Sequence, residues 1–309
     1  MTTTRTIPQS RTGALAVLLF VTLLVSLLSV SPALAGDGVI EINMAAAAAG
    51  GITPSDTPGF PVTLDSAGSY MLTGNLETGN ANVNVIEITA SYVTLDLNGF
   101  AILGPSVDGS GNGVSAAATR EHIEVRNGMV VGMGSGGVRL AGASSRAENI
   151  RARGNRDDGI QLGIAGVAKR CTATHNGDVG VVVSTAGSLI ENTATNNGFN
   201  TGFGGGFFVG NQGYASGNVA RNNTGEGLVT GRGATIVNNA FSENSQDGVR
   251  SGDGSLLQNN TSRDNTLRGM NMGSDSGYIG NVLTDNGTGS VSGGIQIGTN
   301  LCNTNTVCP

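Results

Sequence analysis

An Asn-bounded segment recurs every 21 residues through the C-terminal half of this chain, and that period leaves few folds open. ENTATNN (191–197), GNVARNN (217–223), NNAFSEN (238–244), NNTSRDN (259–265) and GNVLTDN (280–286) share one template. Each has an Asn, a short alternating stretch, a second Asn, and then a Gly leading into an apolar pair. The second Asn falls at Asn155, Asn176, Asn197, Asn223, Asn244, Asn265 and Asn286, in steps of 21, 21, 26, 21, 21 and 21 residues. A fixed period of this size, with Gly and Asn at the bends, is the mark of a solenoid of stacked coils. Without the period, 51 glycines would argue for disorder. With it, they are turn residues that tolerate left-handed backbone angles.

Three short strands fit into each coil. A Gly-apolar-x-apolar strand recurs from Gly137-Val138-Arg139-Leu140 through Gly206-Phe207-Phe208-Val209 and Gly269-Met270-Asn271-Met272 to Gly294-Ile295-Gln296-Ile297. A period of two turns its apolar pair inward and its middle residue outward. A second strand follows the first Asn, with Ala194, Ala220, Phe241, Ser262 and Leu283 inward. A third precedes it, with Leu189, Ile236, Leu257 and Tyr278 inward. Three strands per turn, stacked in register, make a parallel β-helix. Nine or ten coils at ~4.8 Å spacing predict a rod about 45 Å long. Asparagines at the bends are expected to form ladders, each amide donating to one neighbouring coil and accepting from the other. Cys171 occupies the place of Asn192 and its successors and is expected as a buried free thiol.

The ends differ in character from the coils. Arg5 and Arg11, an apolar run from Leu15 to Leu28, and Pro32-Ala33-Leu34-Ala35 form the three regions of a secretory signal peptide over residues 1–35. Residues 39–50 (VIEINMAAAAAG) predict a short Ala-rich capping helix. Cys302 and Cys308 are spaced to close a small disulfide loop after export. The expected organisation is a signal peptide (1–35), an N-terminal cap with first strands (36–87), the β-helix (88–300) and a disulfide-closed tail (301–309). Without residues 1–35 the chain keeps 16 − 2 = 14 basic and 22 acidic residues, a net charge of 14 − 22 = −8. That excess argues against nucleic acid as a partner and against an anionic membrane surface. No segment after the signal is suited to membrane insertion.

VTLDLNGFAILGP (93–105), the repeated N-x-A-x-x-N…G-[I/V]-x-[L/V] coil and the NLC…CP tail resemble secreted bacterial right-handed β-helix proteins of the pectate-lyase-like superfamily. The resemblance covers roughly residues 38–309. It implies an all-β, single-stranded right-handed parallel β-helix in a secreted, periplasmic or cell-surface protein, with a polysaccharide or cell-surface glycan as partner. It implies little about activity, because the superfamily holds lyases, hydrolases, epimerases, tailspikes and adhesins. The hydrolase pattern of Asn-Thr-Asp, Asp-Asp, Gly-His-Gly and Arg-Ile-Lys is missing. His122 and His175 lie in other settings, and Asp157-Asp158 stands without those companions. The Asp-Pro-His of alginate epimerases and the Arg-x-Pro-x-x-Arg of pectate lyases are also absent.

A 21-residue offset makes stacked neighbours of equivalent positions. Glu243, Asp264 and Asp285, each just before a ladder Asn, then form a carboxylate column about 5 Å apart. Such an oxygen-rich column suits Ca2+, against the alternative of a solvated turn with splayed side chains. Across the bend lie Asp158, Glu226, Asp247 and Arg268, with Asp247 and Arg268 expected as a stacked, exposed ion pair. Outward positions on the next strand include Arg139, Gln161, Phe208, Arg250, Asn271 and Gln296. Extra residues at 104–113, 199–206 and 287–294 all fall at this bend, and solenoid inserts often mark the binding face. Phe199 and Phe203 in the longest insert are candidate stacking groups.

The sequence therefore predicts an exported β-helix protein that binds a polysaccharide along the insert-lined face through Phe208, Glu226, Asp247, Arg250, Arg263 and Arg268. If it also modifies the glycan, a lyase or epimerase fits better than a hydrolase, with Arg263 and Arg268 stabilising charge and no residue standing out as the base. The competing prediction is a non-enzymatic structural or adhesive rod.

Overall fold

Each coil turns three times, and each turn places a residue in the left-handed backbone region. In one coil these are Ala186, Glu191 and Asn196, at φ of 57°, 56° and 57°. In the next they are Gln212, Gly217 and Asn222, at 57°, 68° and 54°. That conformation costs about 1–2 kcal/mol for most residues and far less for Gly and Asn. The repeated Gly, Asn and Asp of the sequence answer this need. Between the turns run strands such as Val181–Val183, Ser188–Ile190 and Thr193–Thr195. The first kind joins an 11-stranded sheet, and the other two join a 21-stranded sheet. All rungs pair in parallel, and Val181, for example, lies between Ile160 and Phe207.

The computed structural model describes residues 1–3, 38–199 and 204–308. Residues 4–35 of the expected signal peptide, and Phe203, lie outside the described residues. The fold is an all-β parallel β-helix of about eleven turns, counted from the 11-stranded sheet. Its core is a set of inward columns. Leu189, Ala215, Ile236, Leu257 and Tyr278 form one, and Ala194, Ala220, Phe241, Ser262 and Leu283 another. Phe241 fits because its neighbours above and below are the small Ala220 and Ser262. The Ser262 hydroxyl donates to the Gly269 carbonyl at 2.9 Å, which removes the penalty of burying it.

Both asparagines of the template form buried ladders. One runs from Asn155 to Asn286 and the other from Asn192 to Asn300. Asn244 is representative. Its Nδ2 donates to Asn265 Oδ1 at 2.9 Å and to the Ala220 carbonyl at 3.2 Å. Its Oδ1 accepts from the amide N–H and Nδ2 of Asn223, at 3.2 and 3.0 Å. Cys171 heads the second ladder, its amide N–H donating to Asn192 Oδ1 at 2.9 Å. Burial pushes its thiol up to about 11, so it fills space and does not react.

The ends depart from expectation in two places. The capping helix is only Met44–Ala49, opened by Asn43, whose side chain accepts from the Ala46 amide N–H at 3.0 Å. Val39–Ile42, read as part of that helix, is a strand paired with Gly68–Leu72. Alternating Val39, Glu41 and Ile40, Ile42 satisfy a sheet face better than a helix stripe. At the other end, Gly289–Ser292 is itself a rung, opposite Arg268–Met272. Residues 287–294 are therefore no insertion. Ile295–Gln296 consequently pairs with Gly277–Ile279 of the larger sheet. Ile295 and Ile297 point outward, 58% and 56% exposed, and Gln296 takes the inward position beside Tyr278. The last coil is short, 19 residues from Asn281 to Asn300, and alternation alone does not say which sheet a strand joins. The Gln296 amide donates to the Thr306 carbonyl at 2.9 Å, and its oxygen accepts from the Cys308 amide N–H at 3.1 Å. The Cys302–Cys308 disulfide completes this closure of the C-terminal end.

Asn244→Ala leaves the Asn223 amide N–H without its acceptor in a dry interior and takes a side-chain donor from the Ala220 carbonyl. The expected loss is about 2–5 kcal/mol, seen in calorimetry as a melting temperature several degrees lower. Unchanged melting would show that the ladder contributes nothing to stability.

Candidate functional site

The outward residues of the 11-stranded sheet form one row with one residue per coil. In order they are Arg139, Gln161, Val182, Phe208, Val229, Arg250 and Asn271. Phe208 is 38% exposed between two valines and gives the row an apolar centre. The turn entering each strand sets a second row beside it, and its carboxylates gather at the two ends.

At the first end is a groove of about 300 Å3 lined by Asn112, Ser135, Arg139, Asp157, Asp158, Gln161 and Asp178. Arg139 Nε donates to Gln161 Oε1 at 2.8 Å, and the Ser135 hydroxyl donates to Asp157 Oδ2 at 2.6 Å. Asp158 accepts from the Val179 amide N–H at 3.0 Å. Its pKa is nevertheless raised to about 7. Burial is the largest cause, followed by the charge of Asp178 and then that of Asp157. The Val179 hydrogen bond and Arg139 oppose the shift without overcoming it. The sequence shows Asp157 and Asp158 as an isolated pair, and the fold supplies Asp178 from the next coil. The signal was present, since Asp178 follows Asp157 by one 21-residue period.

At the second end, Glu226 is buried and its carboxylate pairs with Arg250 Nε at 2.8 Å. Asp247 is 4% exposed. It accepts from the Arg268 amide N–H and from Asn271 Nδ2, both at 2.9 Å. The exposed Asp247–Arg268 ion pair expected from stacking is thus replaced. The turn aims the Asp247 carboxylate inward at a backbone donor, and Arg250 pairs with Glu226 instead. Arg263 is not part of this face. It lies on Thr261–Arg263 of the larger sheet and pairs with Asp264 at 2.9 Å.

Glu243, Asp264 and Asp285 do occupy successive left-handed turns, at φ of 57°, 55° and 56°. Two of them already have cationic partners, Arg221 with Glu243 at 2.8 Å and Arg263 with Asp264. Among the described residues no group of three or more His, Cys, Asp or Glu side chains converges as a metal cage. A calcium ion would have to displace both arginines, so this donor set does not fit it.

Two inserts meet at the first end. Phe199, 59% exposed, lines a cavity of about 120 Å3 with Ser106, Val107, Asp108, Met133 and Arg156. Arg156 and Asp108 pair across it at 2.6 Å.

No protein-family model matches the chain, and no curated protein does. Among solved structures, the Dettilon tailspike protein is similar over 75% of this chain at 13% identity, with a TM-score of 0.50. The chain spans 58% of that protein's length. The A-module of an Azotobacter vinelandii mannuronan C-5 epimerase is 16% identical over 78% of this chain and 81% of its own, with a TM-score of 0.38. A periplasmic alginate epimerase is 12% identical over 78% and 75%, with a TM-score of 0.43. The likeness to the tailspike is one of fold: the chain is a right-handed parallel β-helix.

Asp158 holds its proton to about pH 7 when folded but ionises near its ordinary value of 3.8 when unfolded. Between those values the folded chain binds more protons, so this group's contribution to stability is full below pH 3.8 and is lost as pH rises through about 7. Asp158→Asn keeps an acceptor for Val179 and cannot ionise. Its melting temperature should overtake the unmodified protein's across that window and stay above it in mild alkali. Parallel melting curves at every pH would show that Asp158 is not perturbed.

Proposed function

We propose that this is an exported protein that binds an extracellular or periplasmic polysaccharide along the outward row from Arg139 to Asn271. The observation that carries this reading is the row itself. Hydrogen-bonding residues stand at both ends and the exposed Phe208 at the centre, repeated at the coil spacing of ~4.8 Å. An open, polar, linear groove offers little to a compact apolar ligand, which needs an enclosing pocket. It suits a polymer of hydroxyl-rich rings whose apolar faces can rest on Phe208. Export rests on the signal-like residues 1–35 and on the disulfide, which belongs to an oxidising compartment. No described helix is long and apolar enough to cross a membrane. The tailspike and epimerase neighbours lend the glycan class plausibility through fold alone.

Asp158 is the group in the row best poised to exchange a proton near neutrality, with Arg139 beside it as positive charge. Any turnover is assigned to that end. The rod reading draws its support from the other end, where the Glu226 and Asp247 carboxylates are held by Arg250, Asn271 and a backbone amide.

Retention of the purified protein on a panel of neutral and charged polysaccharides, with mass spectrometry of the products, tests this. Phe208→Ala and Arg139→Gln should each weaken binding at least tenfold, about 1.4 kcal/mol, without loss of fold. Retention on no member of the panel selects the structural rod. Binding that ignores both substitutions moves the glycan to another face.

A further inference from the structure

The arginines of coils 120–170 are mostly committed. Arg126 pairs with Asp96, Arg146 and Arg170 with Glu148, and Arg156 with Asp108. Arg151 and Arg153 are different. Both are exposed on the second half of the strand Arg146–Arg153, with Ala152 buried between them. Neither side chain has an ion-pair or hydrogen-bond partner among the described residues. Two residues apart on one strand, their Cα atoms are about 7 Å apart, and both side chains leave the same face.

The neighbours of the pair supply no counter-charge. Met129 and Val131 lie opposite on one side, and Thr172 and Thr174 on the other. A chain with 22 acidic residues against 16 basic ones thus places no acid at the four rung positions flanking the two guanidiniums. Beside Arg151 opens a groove of about 270 Å3, which Asn127 and Asn149 also line. The face is separate from the Arg139–Asn271 row, lying before the turn at Gly154 where that row lies after it.

We propose that this face is a second glycan-contact surface, specific for an acidic polysaccharide whose carboxylate or sulfate groups are bound by Arg151 and Arg153. The planar guanidinium fork suits either oxyanion. The threonine hydroxyls can serve the sugar's own hydroxyls, and Met129 and Val131 a ring's apolar face. Single contacts of this kind are weak in water, but a polymer presents them many times over. The inference rests on reading the chain as a glycan binder and adds the charge of one ligand and a place for it.

The test compares retention of the purified full chain on polygalacturonate, dextran sulfate and neutral dextran, at low and high salt. Two proteins are used: the unmodified chain and R151Q/R153Q. The expected result is binding to one or both polyanions that is weakened by salt and falls at least tenfold in R151Q/R153Q. Which polyanion binds decides between carboxylate and sulfate. Polyanion binding that survives R151Q/R153Q overturns the proposal, as does equal binding of single-stranded DNA. Binding of neutral dextran alone also overturns it while leaving the glycan-binding reading intact. Retention on no polysaccharide overturns both.

Discussion

The buried asparagine amides hold this molecule in register. A coil with three left-handed turns exposes backbone N–H and C=O groups to a dry interior at each one, and strands of three residues have few rungs to offset that. Asn244 meets two such needs, the Asn223 N–H and the Ala220 C=O, while two further bonds link its amide to those of Asn223 and Asn265. The coil above and the coil below each need the same side chain at the same height. That mutual requirement turns a local turn preference into a period, and it fixes the length of the coil. Where the period breaks, at the 26-residue step before Asn223, the ladder does not: Asn197 still donates to Asn223 at 3.0 Å. The ladder positions hold across the longer step.

Strict stacking also sorts charge. Because one outward position recurs once per coil, a surface property is written down the rod as a column, and adjacent columns can carry opposite signs. Within the coil that contains Asn155, Arg151 and Arg153 stand before the turn, and Asp157 and Asp158 after it. A single polymer cannot satisfy both faces equally. An acidic chain is drawn to the arginines and repelled from the aspartates, and a neutral one is indifferent to that contrast.

Much of this was legible in sequence because the period converts directly into neighbours. The strands, the inward columns of Leu189 and Ala194 and the ladder through Asn244 all follow from it, and the Cys302–Cys308 pairing follows from the short spacing of the two cysteines. What escaped had local causes. Gly294-Ile295-Gln296-Ile297 has the alternation of a core strand, but a short final coil moves it to the other sheet and exposes both isoleucines. Asp178 was overlooked as the partner of Asp157-Asp158, although one period separates it from Asp157. Asp247 was misread because side-chain direction at a turn depends on backbone angles that the spacing does not contain. A stacked Asp and Arg suggest an ion pair, whereas the carboxylate turned toward the Arg268 amide.

The same turn position has a different electrostatic fate along the rod, and the neighbours decide it. Glu226 has Arg250 one coil away, and Asp247 has Asn271 and a backbone N–H, so each negative charge is met by donors. Asp158 is buried and then faces the charges of Asp178 and Asp157, with one amide and Arg139 in partial compensation. The protein therefore places an arginine at one end to hold a charge, and at the other it buries an acid beside two more, so that the buried one keeps its proton. A structural rod needs only the first arrangement, since crowding like charges lowers stability wherever the carboxylates ionise. That Phe199 of one insert meets Ser106, Val107 and Asp108 of another at the crowded end makes it the part of the surface that stability alone does not explain.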